Sequence, residues 1–284
     1  METTELPRVV VEEIVARALV EDLAGGDVTT EACISADTQA RARAVARGNL
    51  VACGALVFAR VFAQVDPTLV VDVVTPDGAR ATKGTTLWTV TGRARSILMG
   101  ERVALNFTQR MTGVATMTRT YVDAVPAGST TRIIDTRKTT PGLRALERYA
   151  VRTGGGMNHR DNLGSAVLIK DNHIAACGGV KAAIDRARSR ATHTCRIECE
   201  VDTLDQLDEA LAAGADIVLL DNMDTATVAK AVQRAKSTGA LTEASGGITL
   251  ARIADLAKAG VFAISVGALT HSVPAADIGL DFDA

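Results

Sequence analysis

Residues 196–221 read RIECEVDTLDQLDEALAAGADIVLLD, and the fold can be worked out from this stretch. Two short apolar runs, RIECEV and DIVLLD, flank a segment rich in alanine and leucine that has the spacing of a helix. Strands covered by helices on both faces read as continuous apolar runs and lie parallel, because the connecting helix crosses back over the sheet. The stretch therefore predicts one strand, helix and strand unit of a parallel sheet.

The same alternation continues through the chain after Pro126. Alanine-rich helical segments separate six apolar runs, which are TRIID (131–135), AVLIK (166–170), RIECEV (196–201), DIVLLD (216–221), LTEASG (241–246) and VFAISVG (261–267). A complete eight-unit barrel typically needs about 250 residues. Six strands in this shorter stretch predict an open, incomplete (β/α) barrel, which belongs to the α/β class.

The chain before Pro126 has a different pattern. Apolar residues at helical spacing predict a first helix that ends near Leu23. Residues 40–93 hold short β-like runs around a predicted helix at 55–65, which is typical of a small α+β domain. A long helical pattern follows over residues 95–125. On one face of this helix, a polar stripe that reads as solvated surface comprises Arg102, Asn106, Gln109 and Gly113.

Composition excludes several classes of protein. The chain has 31 basic and 33 acidic residues, a net charge of -2 and only 3% aromatic residues, whereas general nucleic-acid binders are basic and use aromatic stacking. The N-terminus lacks the layout of a signal peptide, and no apolar run reaches the ~18 residues of a membrane span. We therefore expect a cytoplasmic protein with no membrane or nucleic-acid partner. The five cysteines form no CxxC motif, which favours reduced thiols without a disulfide or zinc site.

Polar residues cluster where the six predicted strands end. Active sites of β/α barrels lie at the carboxyl ends of the strands, because those ends meet on one face. One charged residue at a strand end is ordinary, but here every run ends in this way. The residues are Asp135, Arg137, Lys138, Lys170, Asp171, Asn172, Glu198, Glu200, Asp221, Asn222, Glu243, Ser245, Gly246, Gly247 and Gly267.

These residues separate by chemistry into three groups. The cations near the first two strands suit an anion with several oxygens, and they are Arg137, Lys138, His159, Arg160 and Lys170. Glu200 and Asp221 can accept hydrogen bonds from sugar hydroxyls or hold Mg²⁺ largely through water. The glycine turns SGG (245–247) and VGA (266–268) each follow a strand and precede a predicted helix, a common phosphate position. Together they predict transfer chemistry on a phosphorylated sugar.

The chain resembles the quinolinate phosphoribosyltransferase family, also called nicotinate-nucleotide pyrophosphorylase (carboxylating). The resemblance rests on the motifs EDLAGGDVTT (21–30), DTRKTTPGLRALERYAVRTGGGMNHR (135–160), LIKDNHI (168–174), ECEVD (198–202), LLDN (219–222), EASGGIT (243–249) and ISVGALTHS (264–272). It implies an N-terminal α/β-sandwich domain over 1–111 and an open barrel of about seven strands over 112–284, the type II phosphoribosyltransferase architecture, with the C-terminal tail packed back on the first domain.

The resemblance also implies an activity. A phosphoribosyl group passes from 5-phosphoribosyl-1-diphosphate to quinolinate, and the products are nicotinate mononucleotide, pyrophosphate and CO₂, with Mg²⁺ as cofactor. The family forms homodimers in which one arginine acts across the interface. The assembly above a dimer stays open.

Residue by residue, the family's functional positions map onto this chain as follows. Quinolinate-binding positions are Arg102, which acts from the other protomer, with Thr136, Arg137, His159, Arg160 and Lys170. Positions that bind the phosphoribosyl diphosphate are Lys138, Glu200, Asp221, Ser245, Gly246, Gly247, Val266, Gly267, Ala268 and His271. Among these, the catalytic positions are Lys138, Glu200 and Asp221, and the two acids also serve Mg²⁺.

Some residues depart from the family pattern or have plainer interpretations. Gly164 and Ser165 follow HRDNL where the family pattern has an aromatic or polar residue and then an acid, and residues 109–113 lack its usual histidine. GGG (154–156) predicts a tight turn that presents His159 and Arg160. His173 and His193 read as structural or surface residues. Arginines at helical spacing read as a solvated basic face, and they are Arg144, Arg148 and Arg152.

Three alternative functions remain open from the sequence. A molybdenum-transport-associated homologue shares the fold and many of the motifs. A Schiff-base aldolase would use Lys138 or Lys170, since lysines at barrel strand ends act as nucleophiles when desolvated. A non-catalytic homologue would bind the metabolites without releasing pyrophosphate.

Overall fold

The protein, seen here in a computed structural model that describes residues 6–283, divides into two compact units. The first contains the described residues up to Arg119, together with Thr139–Gly155 and the chain from Leu269 onward. The second contains Thr120–Lys138 and Gly156–Ala268. Both the loop after the first strand-end motif and the C-terminal tail therefore belong to the unit that begins at the N-terminus.

A four-stranded antiparallel sheet forms the centre of the first unit. Its strands, and a separate short antiparallel pair, are β1 (Gln39–Ala46), β2 (Leu50–Val51), β3 (Val70–Val73), β4 (Arg80–Ala81), β5 (Thr86–Arg93) and β12 (Ile278–Phe282). The order in the sheet is β12-β1-β5-β3, and β2 pairs with β4. The C-terminal strand β12 runs antiparallel to β1, with Ala42 opposite Phe282.

The helices of the first unit follow the sequence pattern closely. They are α1 (Arg8–Leu23), α2 (Val28–Cys33), α3 (Ala55–Val65), α4 (Ala94–Asp123), α5 (Arg144–Thr153) and α11 (Ala268–His271). The predicted end of the first helix and the predicted helix at 55–65 are confirmed. The helix predicted over 95–125 is one helix of 30 residues, and the predicted domain boundary at 111/112 lies inside it.

Aromatic residues fill the core of the first unit. Phe58 and Phe62, one helical turn apart on α3, have ring centroids 4.9 Å apart in an edge-on arrangement. Trp88 on β5 lies 5.1 Å from the Phe58 ring, and all three side chains are fully buried. Burial of side chains this large contributes roughly 2–3 kcal/mol each. These three aromatic residues therefore form a compact cluster within this core.

A buried ion pair ties three segments of the first unit together. Arg110 on α4 donates from Nε (3.0 Å) and Nη2 (2.8 Å) to Oε1 of Glu147 on α5, which has no exposed surface. The guanidinium also donates to the carbonyl oxygens of Thr270 and Val273, in the C-terminal segment. Thr140 donates its backbone N–H and its hydroxyl to the same carboxylate. Segments that are far apart in sequence thus meet at the ion pair of Arg110 and Glu147.

The second unit is a parallel sheet with helical connections. Its elements are β6 (Arg132–Ile134), β7 (Val167–Ile169), α6 (Asp171–Cys177), α7 (Val180–Arg190), β8 (Ile197–Val201), α8 (Leu204–Ala212), β9 (Ile217–Asp221), α9 (Thr225–Lys236), β10 (Leu241–Ser245), a 3₁₀ turn (Leu250–Arg252), α10 (Ile253–Ala259) and β11 (Ala263–Ser265). All six predicted strands form, and every pair of neighbours is parallel.

Strand order makes this sheet open. The order is β6-β11-β10-β9-β8-β7, so the first two strands along the chain lie at opposite edges. A parallel bridge between Ile134 and Met157 adds a seventh short segment beside β6. The predicted open α/β barrel is confirmed. In the described part of the chain, no helix has the length and apolar character needed to cross a membrane.

The buried ion pair gives a stability prediction for the first unit. Glu147→Ala should lower the free energy of unfolding by about 3 kcal/mol, because it leaves the Arg110 charge without its buried partner. Arg43→Gln is a matched control, since Arg43 pairs with Asp283 on the exposed surface and such pairs contribute at most about 1 kcal/mol. Urea denaturation followed by circular dichroism measures both values. Equal losses in the two variants would contradict the prediction.

Candidate active site

A cavity of about 500 Å³ lies at the carboxyl ends of the parallel strands, within the second unit. Most of the residues predicted from strand-end chemistry or from the family resemblance line it: Thr136, Arg137, Lys138, His159, Arg160, Lys170, Glu200, Asp221, Ser245, Gly246 and Gly247. The cations come from the two edges of the sheet and the segment after GGG, whereas the acids come from its middle strands. The cavity therefore brings the three predicted chemical groups together.

Asp135 holds the basic segment NHR (158–160) in place. This carboxylate, which has no exposed surface, follows β6 directly. Its Oδ1 accepts the backbone N–H of His159 at 2.7 Å, and its Oδ2 accepts from the Asn158 amide at 2.6 Å. The Asp135 backbone N–H donates to the Met157 carbonyl oxygen at 3.1 Å. A residue predicted only as a polar strand end thus orients two neighbouring cations.

Two buried glutamates face the imidazole of His159. Nε2 lies 3.1 Å from Oε2 of Glu198 on β8 and 3.7 Å from Oε2 of Glu243 on β10. Burial lowers the pKa of His159, but the hydrogen bond to Glu198 and the charges of Glu243, Glu198 and Asp135 outweigh it and raise that pKa. Burial and the charge of Glu198 raise the pKa of Glu243. The donor atoms of His159, Glu198 and Glu243 lie within 4.8 Å of one another, close enough to hold a divalent ion.

The acids on the middle strands point into the same cavity. Glu200, two residues after Glu198 and therefore on the same face of β8, accepts from Lys170 Nζ at 2.9 Å. Asp221 ends β9, and its Oδ2 accepts from the Asn222 amide at 2.6 Å. Each predicted acid already has a polar neighbour, so a ligand that binds there must compete with it or share it.

At the SGG turn, the backbone of Gly246 lies close to that of Asn222. Gly246 has φ +81°, and an added Cβ would meet Asn222 Oδ1 and lie 2.7 Å from the Asn222 nitrogen. Asn222 itself has φ +53°, and its backbone N–H donates to the Ser245 carbonyl oxygen. The sequence predicted that SGG directly precedes a helix. In the structure the first helical residue after the turn is Leu250, so SGG does not open a helix. The turn therefore offers loop N–H groups and not a helix terminus.

Some predicted residues do not line this cavity. Arg102 and His271 belong to the first unit. Val266, Gly267 and Ala268 follow β11 but are not among the lining residues. The cavity also includes Asn222 and Glu243, which were predicted at strand ends, and it adds Leu168, Leu219 and Ser265. Glu243, like Glu198 and Asp135, had been found at a strand end and given no role. Glu198 and Glu200 are two residues apart and therefore lie on the same face of one strand, and this spacing could have indicated a role for Glu198.

Residues that depart from the family pattern have structural contacts. The Ser165 hydroxyl accepts the backbone N–H groups of Asp161 and Asn162 and closes the loop after HRDNL. In the first unit, Gln109 donates to the Ile278 carbonyl oxygen at 2.7 Å. A Cβ on Gly113 would collide with the Pro274 carbonyl. The polar stripe on α4 is therefore exposed only at Arg102 and Asn106, and its other half is packed.

The remaining basic and glycine residues are also accounted for. The arginines of α5 are half-buried and not a solvated face, and Arg144 donates to the Thr139 hydroxyl at 2.9 Å. GGG forms the predicted turn after α5. Gly154 lies so close to α4 that a Cβ would lie 2.5 Å from the Ala115 carbonyl oxygen. His173 accepts the Lys170 backbone N–H at the start of α6, which confirms a structural role.

The open parallel sheet and a cavity with cations, acids and a glycine turn define a phosphoribosyltransferase-type catalytic unit. The family models for the N-terminal and C-terminal domains of quinolinate phosphoribosyl transferase match residues 27–112 and 114–281. The chain belongs to the quinolinate phosphoribosyl transferase family.

Similar proteins have consistent names. Nicotinate-nucleotide pyrophosphorylase [carboxylating] of Mycobacterium leprae is 46% identical, over 95% of this chain and 96% of its own length. A chloroplastic protein of that name from Arabidopsis thaliana is 39% identical over 95% and 82%. The solved structure of the nicotinate-nucleotide pyrophosphorylase from Francisella tularensis has a TM-score of 0.94 at 36% identity, covering 100% of this chain and 99% of that one. The likeness therefore spans both domains.

The SGG turn gives a binding prediction. Gly246→Ala should weaken binding of inorganic pyrophosphate by about tenfold or more, because the new Cβ collides with Asn222 and displaces the loop N–H groups. Gly239→Ala is the control, since Gly239 has a similar φ of +76° but no atom within 4 Å of a built Cβ. Isothermal titration calorimetry compares the two variants. If both lose affinity equally, backbone strain and not the collision is responsible.

Proposed function

We propose that this chain transfers the phosphoribosyl group of 5-phosphoribosyl-1-diphosphate to quinolinate and releases pyrophosphate and CO₂, forming nicotinate mononucleotide for NAD biosynthesis. The observation that carries this proposal is the meeting of cations, two acids and a glycine turn in one cavity of a chain from this family. The protein is then a pentosyltransferase whose substrates are both multiply charged anions.

The cations form the quinolinate side of the site. Arg137 and Arg160 line the cavity together, and burial and the nearby Arg137 charge lower the pKa of Arg160. Two guanidinium groups this close repel each other, and a dicarboxylate relieves that repulsion because it brings two negative charges. Thr136, His159 and Lys170 complete this side. The pyridine dicarboxylate fits the charge and size of the group.

The acids and the glycine turn form the sugar diphosphate side. Glu200 and Asp221 accept hydrogen bonds from ribose hydroxyls, and Lys138 pairs with the diphosphate. Ser245, Gly246 and Gly247 offer backbone N–H groups to phosphate oxygens. Val266, Gly267, Ala268 and His271 are assigned to the same substrate by the family resemblance alone. Mg²⁺ suits the carboxylate oxygens of Glu200 and Asp221, and when bound it neutralises charge on the leaving pyrophosphate.

The reaction can be written with these groups. The pyridine nitrogen of quinolinate forms a bond to C1 of the ribose, and the bond from C1 to the pyrophosphate oxygen breaks. The cavity places the cations and the acids at adjacent strand ends, which holds the two substrates side by side. The ribosylated ring nitrogen is cationic. It stabilises the electron pair left on the adjacent carbon as CO₂ departs, and that carbon then takes a proton.

One alternative is less well supported by the geometry. A Schiff-base aldolase needs an uncharged lysine, but Lys170 forms an ion pair with Glu200 at 2.9 Å. The two arginines and two lysines around one cavity favour binding of an anion over nucleophilic attack by an amine. Borohydride trapping of a lysine adduct would nevertheless overturn this assignment.

The proposed activity gives a selectivity prediction. Nicotinate lacks one carboxylate and should leave a cation without its partner, a loss of roughly 2 kcal/mol or more, which is about 30-fold in kcat/KM. Protein, 5-phosphoribosyl-1-diphosphate and Mg²⁺ are mixed with either acid, and nicotinate mononucleotide and pyrophosphate are quantified. A chelator should abolish turnover. Comparable kcat/KM values for quinolinate and nicotinate would contradict the dicarboxylate assignment.

We also propose that the active form is a homodimer in which Arg102 completes the quinolinate site of the partner. Arg102 is exposed on α4, in the first unit, and does not line the cavity of the second unit. An exposed arginine at a substrate-binding position of the family is explained if it serves another copy of the chain. The cytoplasmic location predicted from the sequence stays a prediction.

Complementation tests the dimer. Arg102→Ala and Lys138→Ala chains should each have little activity alone, because each lacks one of the groups needed in every site. A mixture that exchanges subunits should regain activity up to about a quarter of wild type, since one site in a hybrid dimer is intact. Native mass spectrometry checks that exchange occurs. Exchange without recovered activity would show that Arg102 does not act across an interface.

A further inference from the structure

The His159 ring lies between the Arg160 backbone and the buried acid Glu198, and each ring nitrogen contacts one of them. Its Nδ1 accepts the backbone N–H of Arg160 at 2.7 Å. A nitrogen that accepts a hydrogen bond carries no proton, so in this geometry the ring proton lies on Nε2. Nε2 then donates to Glu198 Oε2 at 3.1 Å. The ring therefore connects the buried acids to the backbone that precedes the Arg160 guanidinium.

Glu243 supports this arrangement from a third strand. Glu198 and Glu243 lie on β8 and β10, on either side of β9, and both are only 4% exposed. Glu243 Oε2 is 3.7 Å from Nε2, too far for a good hydrogen bond but within packing distance of the ring. The pKa of Glu243 is raised by burial and by the nearby Glu198.

Other contacts also hold the segment NHR (158–160) in place beside the His159 ring. Asp135 holds the His159 backbone and the Asn158 side chain, and the Arg160 guanidinium donates to the Ala166 carbonyl oxygen at 3.1 Å. The His159 ring also contacts the Arg160 backbone N–H, through Nδ1. A rotation of the ring would remove that contact. That backbone N–H belongs to the residue whose guanidinium lines the cavity beside Arg137.

We propose that Glu243 is a positioning residue for the quinolinate side of the site. Together with Glu198, it holds the His159 ring, and through the ring Arg160, in the orientation that receives a pyridine dicarboxylate. This inference rests on the proposed function. It assigns a role to a buried acid that contacts the binding machinery without belonging to the sugar diphosphate side.

Two substitutions separate positioning from charge. Glu243→Ala removes the group that packs against the ring and should raise the quinolinate dissociation constant about 10- to 100-fold, the loss expected when a partner of a binding group is removed. Glu243→Gln keeps the shape of the side chain and its packing against the ring, so it should stay within about threefold of wild type. The KM for 5-phosphoribosyl-1-diphosphate should change less than about threefold in both.

Thr242→Val is the matched control. Thr242 is the preceding residue of β10, is equally buried, and projects from the opposite face of the strand. It should leave quinolinate affinity unchanged. Quinolinate binding to the full-length protein is measured by isothermal titration calorimetry, and thermal unfolding is measured alongside. Equal weakening of both substrates, or unchanged quinolinate affinity in Glu243→Ala, would overturn the proposal.

A second measurement does not depend on how the alanine variant folds or on turnover. The chain has only four histidines, so two-bond ¹H–¹⁵N correlation spectra can resolve the His159 ring, assigned with a His159→Gln variant. The free wild-type protein should show the tautomer with the proton on Nε2. The other tautomer would overturn the proposal even if the enzyme is active. So would a tightly bound Zn²⁺ or Mn²⁺ between the three side chains, whose removal by a chelator abolishes quinolinate binding.

Discussion

Three buried carboxylates beneath a cluster of cations are the constraint on which this site depends. Asp135, Glu198 and Glu243 lie on three different strands and have almost no exposed surface. Buried charges are costly unless they are paired, so the cationic segment NHR must lie over them. Asp135 accepts the His159 backbone N–H, and Glu198 lies 3.1 Å from Nε2 of the His159 ring. Electrostatics inside the sheet thereby orients the groups that face the cavity.

The order of the strands decides which groups meet. The chain places β6 and β7 at the two edges of the sheet and fills the middle with β8, β9 and β10. The cations follow the edge strands and the acids end the middle ones, so the two chemistries face each other across one cavity of about 500 Å³. A dianion and a sugar diphosphate can then lie side by side. The ion pair of Lys170 with Glu200 joins the two sides.

Different interactions stabilise the first unit. The C-terminal strand forms one edge of its sheet, and its core includes the aromatic cluster of Phe58, Phe62 and Trp88. The buried pair of Arg110 and Glu147 brings together a long helix, the loop after the first strand-end motif and the C-terminal segment. Residues far apart in sequence therefore depend on a single charge pair, which is why we expect its loss to be costly.

The sequence by itself determined the elements and most of the site, because strand burial, helical periodicity and the chemistry of strand ends are local properties of the chain. It predicted all six parallel strands, the helix at 55–65 and most of the residues that line the cavity, although Thr136 was predicted only from the family resemblance. The tertiary structure alone decided the roles of Asp135, Glu198 and Glu243, because pairing with His159 depends on which strands become neighbours. It also showed that the α5 arginines are half-buried and that half of the α4 stripe is packed, since burial depends on segments distant in the chain.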